Sequence, residues 1–149
     1  MSNIIATLVS ILASTLRIST PLALSSIGEV YSERAGIVNL GLEGQILVGA
    51  FAAVLGSYLT GSPYVGLGLA VVAGILLGLI HALFVVRFRA NQIVIGVGMN
   101  IFALGLTTIG LQTIWGNRGK SDSVTGLPAI DLPGLDGIPL VGQILNHHT

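Results

Sequence analysis

Residues 35–86 read AGIVNLGLEGQILVGAFAAVLGSYLTGSPYVGLGLAVVAGILLGLIHALFVV, and Glu43 is the only Asp, Glu, Lys or Arg among them. A soluble domain carries roughly a quarter charged residues, and no water-facing surface can be built from this stretch. The chain as a whole repeats the pattern: 149 residues, 52% apolar and 8% charged, with a mean hydropathy of +0.92. Apolar runs of about 20 residues match the length of a membrane-crossing helix. The expected fold is therefore an all-α, polytopic membrane helix bundle.

Within the quoted stretch, Gly61-Ser62-Pro63 is a helix breaker too short for anything but a tight turn between antiparallel spans. It separates a span at about 40–59, with Glu43 in the first turn where a carboxylate suits the positive helix end, from one at about 64–86. The latter is about 34 Å long at 1.5 Å per residue, enough for a hydrocarbon core of about 30 Å. Arg87-Phe88-Arg89 then leads to a further span at about 91–115. Upstream, residues 3–27 form a span containing Arg17 and Pro21. A central Arg costs about 3 kcal/mol and each Leu, Ile or Val returns roughly 0.3–0.6. The eleven such residues there favour insertion, provided Arg17 faces protein or reaches a headgroup. About four spans are expected, with residues 1–116 as the bundle. Residues 117–149, holding Pro128, Pro133, Pro139, Asp122, Asp131 and Asp136, read as an extramembrane Gly/Pro-rich loop or truncated tail.

Lys and Arg in short loops favour the cytoplasm. Arg34, Arg87 and Arg89 put the first and third connections there, with the amino terminus and tail outside; Arg118 and Lys120 argue the other way. Tyr58, Tyr64 and Trp115 would share one interface, the level aromatic rings favour. The apolar run 4–16 has the length of a signal-peptide core, but lacks a basic segment before it and a cleavage site after it. Zero net charge without a Lys/Arg block offers nothing to nucleic acid.

Two patterns bear on packing and function. Gly66, Ala70, Gly74, Gly78 and Ala82 recur every fourth residue, one helix face on which a neighbour can approach closely; Gly49, Ala53 and Ser57 make a shorter version. Residues 28–45, GEVYSERAGIVNLGLEGQ, hold three Glu, one Arg and one Asn, with Gly28, Gly36, Gly41 and Gly44 between them. Continuous lipid-facing helix is not expected there. One reading is irregular backbone at membrane depth lining a watery cavity; the other is a solvated loop with Glu29 and Glu33 on a frayed helix. Asn91, Gln92, Asn100 and Gln112 are the amides of the last span. Asn100 lies well inside it, so it bonds another helix or faces a pathway. His81 reads as a packed or interfacial side chain more readily than as a ligand.

Enzymatic templates fail. Gly96-Val97-Gly98 lacks the rest of a dinucleotide fingerprint, and neither a Walker A sequence nor HExxH occurs. Glu29, Glu33 and Glu43 could be paired as acid and base only on paper, beside Arg34. With no cysteines there are no disulfides or thiol nucleophiles. No metal site and no enzymatic activity are expected.

TLRISTPLALSSIGEVYSERAGIVNLGLEGQILVGAFAA, residues 15–53, resembles permease subunits of the ABC importer family that handles nucleosides and simple sugars, a family of branched-chain amino acid transporter type. ANQIVIGVGMNIFALGLT, residues 90–107, resembles a second family segment in the expected order, and IPLVGQIL, residues 138–145, resembles the external loop before that family's next span. By this resemblance the chain looks like the amino-terminal half of such a permease, whether a fragment, a truncated gene product or one piece of a split subunit.

The resemblance implies a multi-pass plasma-membrane protein working with a second permease subunit, ABC ATPase subunits and an external substrate-binding lipoprotein. ATP would bind the partner, with no cofactor on this chain. It further implies that Asn39, Glu43 and Asn100 lie near the translocation route, with Gly36, Gly41 and Gly44 shaping the backbone around it. The alternative is a small self-associating four-helix membrane protein, exporter or scaffold, independent of an ATPase.

Overall fold

The computed structural model describes residues 2–128, with side chains from residue 7 onward. Four helices follow one another: α1 (Ser2–Arg34), α2 (Leu42–Thr60), α3 (Pro63–Ala82), extended through a wider π-type turn at Leu83–Arg87, and α4 (Gln92–Trp115). All four are long and apolar enough to cross a membrane, and among the described residues there is no strand. The chain is thus an all-α, multi-pass membrane protein. Residues 131, 133, 136 and 138–145, on which part of the tail reading rests, lie outside the described residues.

The chain divides into two compact units, one containing residues up to Ile27 and the other spanning Gly28–Gly126. In the first unit, α1 carries many hydroxyls through an apolar environment by bonding them back to the preceding turn. Thr15 Oγ1 donates to the Ile11 carbonyl at 2.8 Å, Thr20 Oγ1 to Leu16 at 2.7 Å and Ser25 Oγ to Pro21 at 2.7 Å. Such bonds spare these hydroxyls from being desolvated unpaired. Pro21 sits inside the helix without ending it, as transmembrane helices allow.

In the second unit, α1 continues past the expected boundary at Ile27, so Glu29 and Glu33 are helical and the break narrows to residues 35–41. Gly36, at φ +80°, ends the helix. Its N–H donates to the Glu33 carbonyl at 2.9 Å, and Ile37 N–H donates to Ser32 at 3.0 Å. That pair of bonds around a left-handed glycine is the Schellman stop.

α2 and α3 form an antiparallel hairpin. Gly61 at φ +67° closes α2 by donating to the Ser57 carbonyl at 2.8 Å, and Pro63 opens α3 at a position where its missing N–H costs nothing. The two backbones nearly touch: a Cβ on Gly56 would stand 2.8 Å from Gly66 Cα, and one on Gly66 would collide with the Ala53 carbonyl oxygen. Val48, Leu77, Met99 and Ala103 form the small core between α2, α3 and α4. Beyond it, no more than 22% of the most apolar window of any span is buried. Side chains such as Leu79, Ile101 and Ile109 are left for lipid or further helices.

Candidate functional site: the clamped break between α1 and α2

Residues 35–41 leave the helical pattern, and beyond the bonds that end α1 and start α2 their backbone groups have no helical partners. Their backbone groups need partners, and side chains supply them. Gln92 Oε1 accepts from Val38 N–H at 2.6 Å, while Gln92 Nε2 donates to the Gly36 carbonyl at 3.4 Å. Glu29 Oε1 accepts from Asn39 N–H at 2.7 Å. Asn39 Oδ1 accepts from Gly41 N–H at 3.0 Å, and its Nδ2 donates to Gln45 Oε1 at 3.3 Å. Asn100 Nδ2 donates to the Leu40 carbonyl at 2.9 Å.

Gln92, Gly96 and Asn100 are spaced i, i+4, i+8 and therefore share one face of α4. The outer two grip the break, and the middle one lets it lie against the helix. A Cβ on Gly96 would stand 2.7 Å from Leu40 Cβ and 2.9 Å from Gly41 N. The same face starts α2. Its N-cap, Gly41, has no side chain to offer, and Asn100 Oδ1 accepts from Gly44 N–H at 2.8 Å instead, serving one of the orphan donors of the first turn. α4 caps itself through Asn91 Oδ1, which accepts from Ile93 and Val94 N–H at 2.9 and 3.3 Å.

Asn39 and Asn100 are both half-buried; the Asn39 side chain bonds within the break and to Gln45, and Asn100 holds the break from α4. Glu43 is exposed in the first turn of α2 and has no hydrogen-bond partner among the described residues. Gly41 and Gly44 are buried. A Cβ on Gly44 would stand 3.0 Å from both Ala103 Cβ and Asn100 Oδ1. Of the small-residue stripe on α3, Gly66 lies in the helix contact, and Ala70 O stands 3.9 Å from a Cβ built on Gly49. Ala82 is half-buried, whereas at Gly74 and Gly78 a Cβ would meet nothing within 4 Å. The close approach therefore occupies one end of the stripe.

Tyr58 and Trp115 meet edge-on with centroids 5.1 Å apart. Ser57 Oγ donates to the Thr125 carbonyl at 2.6 Å, tying the start of the tail to α2. Among the described residues, no three His, Asp or Glu side chains come together to hold a metal.

The sequence did not mark Gln92 and Gly96 as parts of the clamp or Glu29 as an acceptor for the break, whereas His81, read as a packed or interfacial side chain, is only 3% exposed. The signal for the first two was present as the four-residue spacing to Asn100, which a count of amides by type passes over.

A helical bundle in which an irregular polar segment is held at the start of a span by side chains of another span is a class of membrane protein known from transport. The chain belongs to the family described as the permease component of branched-chain amino acid transport systems, which it matches over residues 11–131. It is 38% identical over 148 residues to a guanosine ABC transporter permease protein of Bacillus subtilis, covering 95% of this chain and 46% of the relative. It is 36% identical over 153 residues to a nucleoside ABC transporter permease protein of Lactococcus lactis, covering 99% and 48% respectively. A putative glucose ABC transporter permease protein of Haloferax volcanii is 35% identical over 143 residues, covering 93% and 42%. The chain spans less than half the length of each of these relatives. No solved structure matches it.

Proposed function

We propose that this chain forms the amino-terminal part of the membrane-spanning permease of an ATP-driven importer of nucleosides or simple sugars. The observation that carries the reading is similarity to nucleoside and sugar permeases across nearly the whole chain, including the clamped break. ATP is hydrolysed by ABC ATPase subunits, a second permease subunit completes the pathway, and an external lipoprotein delivers the substrate. In this reading Asn39 and Glu43 border the translocation route at the start of α2, and Asn100 positions that start. Gly36, Gly41 and Gly44 allow the chain to break and re-enter there.

The test is reconstitution of the complete permease with its ATPase and binding lipoprotein in proteoliposomes, followed by uptake of labelled guanosine and glucose. The expected result is uptake of at least one of them that requires ATP and the lipoprotein. Activity of this chain alone as a homodimer, indifferent to ATP, would support the self-associating alternative instead.

A further inference from the structure

His81 is 3% exposed, and neither of its ring nitrogens has a hydrogen-bond partner. It lines a chamber of about 290 Å³ walled by the end of α1 at Gly28 and Ser32, the break at Asn39, the start of α2 at Gln45 and the end of α3 at Gly78. Gln45 Nε2, on the same chamber, is also buried and unpartnered. So is Glu29 Oε2, whose sister oxygen holds the Asn39 N–H. Four buried polar atoms on three helices thus lack partners, three of them on His81 and Gln45, which line the cavity, whereas buried polar groups are ordinarily paired.

Their chemistry limits what satisfies them. A neutral imidazole offers one donor and one acceptor, the Gln amide nitrogen donates, and a carboxylate oxygen accepts. An apolar ligand would leave all four unpaired. An anion would face Glu29, and a cation would face the donors of Gln45 and His81. A hydroxyl both donates and accepts, and a volume of about 290 Å³ exceeds the roughly 30 Å³ that one water occupies in the liquid. We propose that the chamber lined by His81 and Gln45, with Glu29 beside it, is a binding site for hydroxyl groups, supplied either by a cluster of bound waters or by the sugar ring of a transported solute. Only the second source rests on the transport reading above.

Radiolytic hydroxyl-radical labelling in ¹⁸O water, read residue by residue by mass spectrometry on the fully assembled transporter in nanodiscs, tests this directly. Met99 is the internal control, because it is buried in the apolar core beside Val48, Leu77 and Ala103 and sulfur is the more reactive target. The expected result is that His81 labels at least threefold faster than Met99. A further drop of threefold or more on adding guanosine or glucose identifies the sugar ring as the source, and an unchanged rate identifies water. Replacing the amide in Gln45→Leu is expected to lower His81 labelling with Met99 unchanged. Labelling of His81 no faster than of Met99 in the wild-type complex would overturn the site. Uptake measured on the same preparation keeps the two readings apart: ATP-dependent uptake with His81 unlabelled sinks the chamber alone, and labelled His81 without uptake sinks the transport reading and leaves the water site.

Discussion

Gly96 and Asn100 illustrate how much of this molecule depends on single atoms. At Gly96 any side chain would enter the space held by Leu40 Cβ and Gly41 N, and overpacking of this kind typically costs about 1–3 kcal/mol. Gly98, two residues on, has open space. Gly96→Val is therefore expected to lower the thermal stability of the detergent-purified protein by several degrees or abolish its monodisperse peak, while Gly98→Val leaves both near wild type. Asn100→Leu would strand the N–H of the buried Gly44, for about 1–3 kcal/mol, and remove the bond to the more exposed Leu40 carbonyl. Asn100→Asp keeps the acceptor for Gly44 and loses the donor to Leu40, and its stability is expected to fall between the two. Equal melting of all three proteins would remove the clamp from the account. The sequence marked Asn100 as a buried amide needing a partner, because an amide within an apolar run is visible without coordinates. Which partner it takes was not legible, since the Leu40 carbonyl and Gly44 N–H carry no residue-type signature.

At the scale of elements, the span limits were readable to within a few residues for α2, α3 and α4, since hydropathy and the breakers Gly61, Pro63 and Gly116 act locally. The end of α1 was not, because Glu29 to Arg34 are polar yet helical: the stop is set by Gly36 and its Schellman bonds, not by polarity. The four-residue stripe on α3 was legible as a face but not as a contact, because spacing cannot say how far along a helix its neighbour stays close. Gly66 is where α2 touches. Gly66→Leu is accordingly expected to cut the yield of folded protein severalfold, and Gly74→Leu and Gly78→Leu to cost no more than Leu76→Ala. If the Gly66 and Gly74 variants fold equally well, the hairpin contact does not decide assembly.

At the scale of the whole molecule, most of the surface of the spans is apolar and unburied, and lipid and neighbouring helices are the partners this surface fits. The Arg-bearing turn after α3, where Arg89 itself adopts φ +52°, is expected on the cytoplasmic side, because short loops with Arg resist translocation. A membrane-impermeant maleimide should not label Phe88→Cys in intact cells and should label it once they are permeabilised; labelling from outside would invert the topology.

The central claim, that the clamped break serves transport, is tested most directly by uptake rates of the fully reconstituted importer carrying Asn39→Ala or Glu43→Gln, against the exposed control Ile101→Ala. The account predicts that both variants insert and assemble at wild-type levels yet lose at least tenfold in ATP-dependent uptake, with the control unaffected. Wild-type rates in both variants at equal protein levels would contradict it.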